Sequence, residues 1–136
     1  MTVITDTALK SSLKGQKICG WGILAVGILH FAAHFLIPQA REALFGILKA
    51  GVVNTLGPDW AAANFSVLMS LVVGFLLIVT GILVIEAGNA GWRIPRVPAV
   101  AILLVFIFIV TAGPNGGGWL GLPFSGYLVY QAFSRR

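Results

Sequence analysis

Four apolar runs without a charged residue constrain the fold more than any other feature of this sequence. They lie at about residues 18–37, 60–85, 99–112 and 119–133. A membrane span needs about 20 mostly apolar residues to cross roughly 30 Å of hydrocarbon, and the charge-free stretches together suffice for about four spans. The composition agrees, with 58% hydrophobic residues, 10% charged residues and a mean hydropathy of +0.97. We therefore expect an all-α fold, a bundle of four transmembrane helices in a lipid bilayer.

Two segments outside these runs are more polar. Residues 1–17 contain Thr and Ser without hydrophobic periodicity, which predicts a partly disordered cytoplasmic tail ahead of a single membrane domain at residues 18–136. Residues 39–50 are amphipathic, with Arg41 and Lys49 on one helical face and Leu44 on the other. This segment is too short and too charged to span. It predicts an interfacial helix between the first and second spans.

The cationic residues predict the orientation of the bundle. With four spans, one side carries only Arg41 and Lys49. The other side carries the Lys and Arg residues at positions 10, 14, 17, 93, 96, 135 and 136. Because cytoplasmic loops carry the excess of Lys and Arg, both termini are predicted to be cytoplasmic. Since the basic residues flank apolar runs, they indicate membrane topology and no nucleic-acid partner.

The two histidines of the chain, His30 and His34, lie one helical turn apart inside the first run. They share a helical face with Gly20, Gly22 and Gly27, and glycines allow helices to approach closely, so we expect both histidines to face the bundle. An ionisable residue inside a membrane marks a functional site by default. We predict that His30 and His34 are catalytic, with His30 the deeper of the two and acting as an acid or base.

Other polar residues at similar depth are expected to form an outward-opening pocket for a small lipophilic ligand. They are Asn64, Ser66, Thr111, Asn115 and Asp59. The amphipathic helix at 39–50 is placed to act as a lid over this pocket. Asn64, Ser66 and Ser70 also fit a simpler interpretation, in which they form hydrogen bonds that hold neighbouring helices together.

A metal site is not predicted, and haem remains an alternative. Two histidines at i and i+4 can chelate one ion, but a closed site needs about four ligands, and only Asp59 and Glu42 are available to add. Two histidines on one helix face cannot bind opposite sides of one haem. Haem held by His30 or His34 would therefore need single-histidine ligation in an oligomer, or two chains.

Six short signatures occur in an order that resembles one known family over about residues 21–133. They are Leu29-His30, Gly51-Val52-Val53-Asn54-Thr55, Ala61-Ala62-Ala63-Asn64-Phe65, the end of the second run around Gly81, Ile94-Pro95-Arg96 and Pro123-Phe124-Ser125-Gly126-Tyr127. The family comprises small bacterial four-helix membrane proteins of unassigned function. The resemblance implies a multi-pass protein of the bacterial inner membrane with one histidine in the first span, at His30. His34 departs from that pattern.

Three functions are compatible with these features. The first is binding of a small lipophilic molecule in the outer-half pocket, with isomerisation or proton transfer catalysed by His30. The second is an accessory or assembly subunit, in which the interfacial helix docks a partner in a membrane complex. The third is a haem or metal carrier. A homo-oligomer is compatible with each of them.

Overall fold

The computed structural model describes residues 4–50, 62–112 and 117–134. Within these ranges the chain is all-α, as predicted, and contains no strand. The five α-helices are α1 (Ile4–Leu36), α2 (Pro38–Ala50), α3 (Ala62–Asn89), α4 (Arg96–Ala112) and α5 (Leu122–Phe133), and a 3-10 helix (Gly117–Gly121) directly precedes α5.

Helix α1 begins much earlier than predicted, because residues 4–17 are helical and continuous with the first apolar run. The expectation of partial disorder is wrong for these residues. Gln16 is only 3% exposed. Its side-chain amide donates to the carbonyl oxygens of Val84 (3.3 Å) and Trp92 (3.0 Å) and accepts from the backbone N–H of Ile94 (3.0 Å). Hydrogen bonds from Gln16 to distant residues thus attach the end of this segment to α3 and the α3–α4 loop, although the segment shows no amphipathic pattern.

Helices α1 and α3 pack antiparallel along a seam of glycines. An added Cβ atom at Gly27 would lie 2.7 Å from Ile78 N, and one at Gly81 would lie 2.5 Å from Leu24 N. A side chain at either position would force the two backbones apart. The prediction that glycines of α1 allow close helix packing is therefore confirmed, although Gly22 meets α5 and not α3.

Four apolar helices form an open row in the order α3, α1, α5, α4. Helix α1 contacts both α3 and α5, and α5 also packs against α4. The ring of Phe106 in α4 lies against Gly121, the last residue of the 3-10 helix. Among the described residues, α3 and α4 make no close backbone contact. Helix α2 packs against α1 and α3. The two ends of the row therefore face each other across a groove between α3 and α4.

The remaining predicted segments are helical too. The amphipathic stretch at 39–50 lies in α2, whose Leu44 and Ile47 are buried while Arg41 and Lys49 are exposed. The last run begins irregularly, as expected from Pro123, because a 3-10 helix precedes α5 and the proline occupies the first turn of α5. Within the part of the chain that the structure describes, two segments, Leu9–Leu36 and Ser66–Asn89, are long and apolar enough to span a membrane.

Candidate functional site

His30 lies on the side of α1 that faces α3, and its ring reaches Ser70. The Nε2 atom of His30 is 2.9 Å from Ser70 Oγ and 3.2 Å from Ser70 O. The ring fits against α3 because the residue one turn after Ser70 is Gly74, where an added Cβ atom would lie 3.1 Å from His30 Cδ2. The packing of α1 on α3 thus creates the contact between the histidine and the serine.

The contact with Ser70 supports both neutral tautomers of His30. If Nε2 carries the proton, it donates to the Ser70 carbonyl oxygen, which only accepts, and Nδ1 is left as a free base. If Nδ1 carries the proton, Nε2 accepts a hydrogen bond from the Ser70 hydroxyl. His30 therefore keeps a partner whichever ring nitrogen is protonated.

His34 has a different environment from His30. Its side chain is 7% exposed, and its Nδ1 atom lies 3.0 Å from the carbonyl oxygen of His30. Because a carbonyl oxygen only accepts, Nδ1 of His34 is the donor in this bond. The two rings meet edge to face with centroids 5.5 Å apart. His34 stabilises the turn that carries His30, and it does not line either of the two cavities that His30 lines.

The smaller of these cavities has a volume of about 140 Å³ and lies inside the bundle. It is bounded by Val26 and His30 of α1, Leu77 of α3, Phe106 of α4 and Gly118 of the 3-10 helix. His30 contributes the only ionisable side chain among the described residues of its wall. The cavity is therefore an apolar chamber with one titratable group.

The larger cavity is the groove between α3 and α4, with a volume of about 680 Å³. Among the described residues of its wall, the polar side chains are His30, Ser66 and Ser70, and the apolar ones include Val73 and Phe108. Volumes of several hundred Å³ are typical of small-molecule sites, which combine a mostly apolar wall with a few polar groups. His30 lines both cavities and so lies at the junction between the groove and the inner chamber.

The other predicted pocket residues are distributed unevenly. Ser66 lines the groove. The hydroxyl of Thr111 donates to the carbonyl oxygens of Ile107 (3.0 Å) and Phe108 (2.9 Å) in its own helix, and Thr111 lines neither cavity. Asp59, Asn115 and the side chain of Asn64 lie outside the described residues. Helix α2, predicted as a lid, contributes no wall residue to either cavity.

Sequence reasoning did not identify Ser70 as the partner of His30. A spacing pattern could have identified it, since Ser66, Ser70 and Gly74 recur every four residues and place small side chains on one face of α3. Such a face leaves room for a larger side chain of the facing helix and offers it a hydroxyl group, and His30 is the side chain that uses both. Within the described ranges, no group of three or more His, Cys, Asp or Glu side chains could hold a metal ion.

Comparison with known proteins gives a family and no function. A family model described as a family of unknown function matches residues 14–135 of the chain. No curated protein and no solved structure matches it significantly.

Proposed function

The chain belongs to the DUF6463 family of unknown function, and from its geometry we propose an integral membrane protein that binds a small lipophilic molecule beside His30 and transfers a proton on it. One observation carries this proposal. His30 lies where a groove between α3 and α4 meets an inner chamber, so its ring is within reach of a molecule in either cavity.

The exposed surface supports the membrane setting. In the most hydrophobic 18-residue segment of each helix, only 33% of α1 and 28% of α3 is buried. The core helix of a soluble protein would be mostly buried. Large apolar side chains such as Trp21, Phe75 and Leu83 are exposed. An outer surface of this kind is compatible with lipid and costly in water.

Helix lengths support four spans. With a rise of 1.5 Å per residue, the 17 residues of α4 cover roughly 25 Å. The 12 residues of α5 cover roughly 18 Å, and the 5 residues of the preceding 3-10 helix add roughly 10 Å. Both lengths approach the thickness of the hydrocarbon core. We infer that the 3-10 helix and α5 together form the fourth span.

Charge supports an orientation with both termini in the cytoplasm of a bacterium. The bonds from Gln16 to the α3–α4 loop bring Lys14 and Lys17 to the same end of the bundle as Arg93. Arg41 and Lys49 lie in α2, which follows the opposite end of α1. By the positive-inside rule the first end is cytoplasmic, and His30 lies in the outer half of the membrane.

The reaction that these groups support is a proton shift within one molecule. The ligand enters from the bilayer through the groove, where Val73 and Phe108 hold its apolar part. Neutral His30 removes a proton from one atom of the ligand and returns it to another, so the ligand is isomerised and no co-reactant is consumed. Ser70 orients the ring throughout.

Native mass spectrometry of the protein in mild detergent, purified from its native membrane, tests the proposal. We expect a bound small molecule in the wild type and its loss, by at least about tenfold in occupancy, in His30→Ala. The recovered molecule, incubated with wild-type protein in deuterated water, should gain deuterium at a carbon atom, and His30→Ala should not support this exchange. Thr111→Val is the matched control, because its hydroxyl bonds within α4 and lines neither cavity.

If His30→Ala binds the molecule and exchanges deuterium as the wild type does, the proposal is wrong. If the wild type binds the molecule but does not catalyse its deuterium exchange, the proposed binding is supported and the proposed proton transfer is wrong.

A second candidate, a subunit of a membrane complex, is favoured by the same lateral opening. The groove is flanked by exposed Leu104, Val105 and Phe108 of α4, against which a helix of another subunit could pack. The spectrum described above separates the two functions. A stoichiometric partner protein with an empty groove supports the subunit, whereas a chain carrying only a small molecule supports the first proposal.

A further inference from the structure

A third cavity lies at the opposite end of α1 from His30. It has a volume of about 230 Å³ and is bounded by α1, the α3–α4 loop and the end of α5. Its polar lining consists of Ser12, Gln16, Arg93, Arg96 and Gln131. From Gln16 to His30 the helix rises roughly 21 Å, so this cavity is separate from the site described above.

The wall of this cavity is positively charged. Two arginines, Arg93 and Arg96, line it, and none of its described wall residues is acidic. Helix α4 begins at Arg96, so the partial positive charge of its N-terminus adds to the same field. The amide of Gln16 is already bonded to the backbone, which leaves Ser12 and Gln131 as the neutral polar groups that can contact a ligand.

Arg96 is held in place on the wall of the cavity. Its Nε donates to the carbonyl oxygen of Ala132 at 3.3 Å, and its guanidinium carbon lies 5.1 Å from the centroid of the Phe133 ring. These contacts fix the plane of the guanidinium and leave its terminal nitrogens available. An arginine oriented in this way loses little conformational entropy when it binds an oxyanion with two parallel hydrogen bonds.

Cationic residues at the end of a membrane bundle often serve topology alone, and Lys14 fits that role, since it does not line the cavity. Arg93 and Arg96 are exposed, as Lys14 is, but they differ from it because both line one concave site together with the buried Ser12. Polar and charged residues that line one cavity are typical of binding sites. The orientation of a protein in a membrane requires only that positive charges lie on one side.

We propose that this cavity binds a phosphate group. Arginine pairs recognise phosphate oxygens, and basic pockets between helices at the cytoplasmic side of a membrane accept phosphate-bearing headgroups. The phosphate belongs either to an anionic membrane lipid, whose acyl chains lie along the bundle, or to a soluble phosphate ester. Both sources present the same group to Arg93 and Arg96.

The test is a titration of the full-length protein in detergent, followed by native mass spectrometry with three probes. Dioleoylphosphatidylglycerol carries the phosphate and acyl chains, glycerol 3-phosphate carries the phosphate alone, and dioleoylglycerol carries the acyl chains alone. We expect dioleoylphosphatidylglycerol or glycerol 3-phosphate to bind the wild type, and Arg93→Gln to weaken that binding by at least about tenfold, the value of one charge-assisted hydrogen bond.

Two further variants complete the experiment. Arg93→Gln/Arg96→Gln should abolish binding, while Lys14→Gln, which removes one positive charge at the same end but outside the cavity, should leave it within about twofold. Arg96 also contacts α5, so circular dichroism checks the fold of the double variant, and Arg93→Gln alone decides the outcome if that variant unfolds.

Each outcome is decisive. Binding of dioleoylphosphatidylglycerol alone identifies a lipid site, and arginine-dependent binding of glycerol 3-phosphate identifies a site for soluble esters. Equal affinity for dioleoylglycerol and dioleoylphosphatidylglycerol, equal weakening by Lys14→Gln and Arg93→Gln, or binding that is indifferent to Arg93 would overturn the proposal. So would the absence of binding by both phosphate probes. None of these results depends on His30.

Discussion

Gln16 and His30 are both polar side chains of α1 that bond to the region of α3, yet their surroundings differ. Gln16 is 3% exposed and uses both ends of its amide in three hydrogen bonds to backbone groups. His30 is partly exposed, bonds to Ser70 with one ring nitrogen and borders two cavities with the rest of its ring.

The difference is the one expected if Gln16 is a structural polar group and His30 has the function proposed above. A buried group whose bonds are all made to the backbone has no capacity left for a ligand, and its removal leaves backbone groups unsatisfied. A ring that keeps one partner and one open side still has a nitrogen that can contact a ligand. Three substitutions test this distinction.

The largest expected effect is on stability, in Gln16→Leu. This change removes three hydrogen bonds and leaves Ile94 N–H without its side-chain partner, so the free energy of unfolding should fall by about 3 kcal/mol. Denaturant unfolding in detergent, followed by far-ultraviolet circular dichroism, measures it. Gln39→Leu, at an exposed position of α2, is the matched control and should change stability little. If Gln16→Leu and His30→Ala lowered the free energy of unfolding equally, the contrast between Gln16 and His30 would be wrong.

An intermediate effect is expected at Gly74. In Gly74→Ala the new methyl group would lie 3.1 Å from His30 Cδ2 and 3.3 Å from Phe31 N, so the helices or the ring must shift, at a cost of about 1 to 2 kcal/mol. At Gly46 of α2 there is no atom within 4 Å, and Gly46→Ala should instead stabilise the protein by about 0.5 to 1 kcal/mol. The same unfolding measurement compares them. Equal gains in both variants would show that α3 does not constrain the position of His30.

The smallest effect is expected for Ser70→Ala. His30 then loses the hydroxyl at 2.9 Å but keeps the Ser70 carbonyl oxygen, so stability should fall by about 1 kcal/mol and ligand affinity by about fivefold. Native mass spectrometry of the bound ligand measures the affinity. Thr80→Val removes a hydroxyl whose bond, to Leu76 O, stays within α3, and it should leave affinity unchanged. A Ser70→Ala variant with wild-type affinity would mean that Ser70 does not orient the ring.

Local patterns in the sequence predicted much of this fold. Apolar runs marked the helices, and Pro123 predicted the irregular beginning of the last one, because a proline restricts the residue before it and fits the first turn of a helix. The glycines of α1 predicted a close helix contact, since glycine lacks the side chain that would separate two backbones.

Features that depend on distant residues could not be predicted in the same way. The pairing of His30 with Ser70 depends on how far α1 is shifted along the axis of α3. Helical periodicity in the sequence predicts which residues share a face of a helix, but it does not predict this shift. Gln16 looked like part of a tail because its partners lie in a loop late in the chain. Thr111 was expected in the pocket, yet a threonine inside a helix can satisfy its hydroxyl on its own backbone.

The open row of helices has a mechanical consequence. In a closed ring of four helices a guest can enter only by breaking packed contacts, whereas the row from α3 through α1 and α5 to α4 has two free flanks. A small rotation about the contact between α1 and α5 would widen the slot between these flanks while both outer helices stay seated on their neighbours. Under the proposed function, the force that resists this rotation is the lateral pressure of the lipid. The exchange rate of the proposed guest would then follow the stiffness of the membrane more than the stability of the protein.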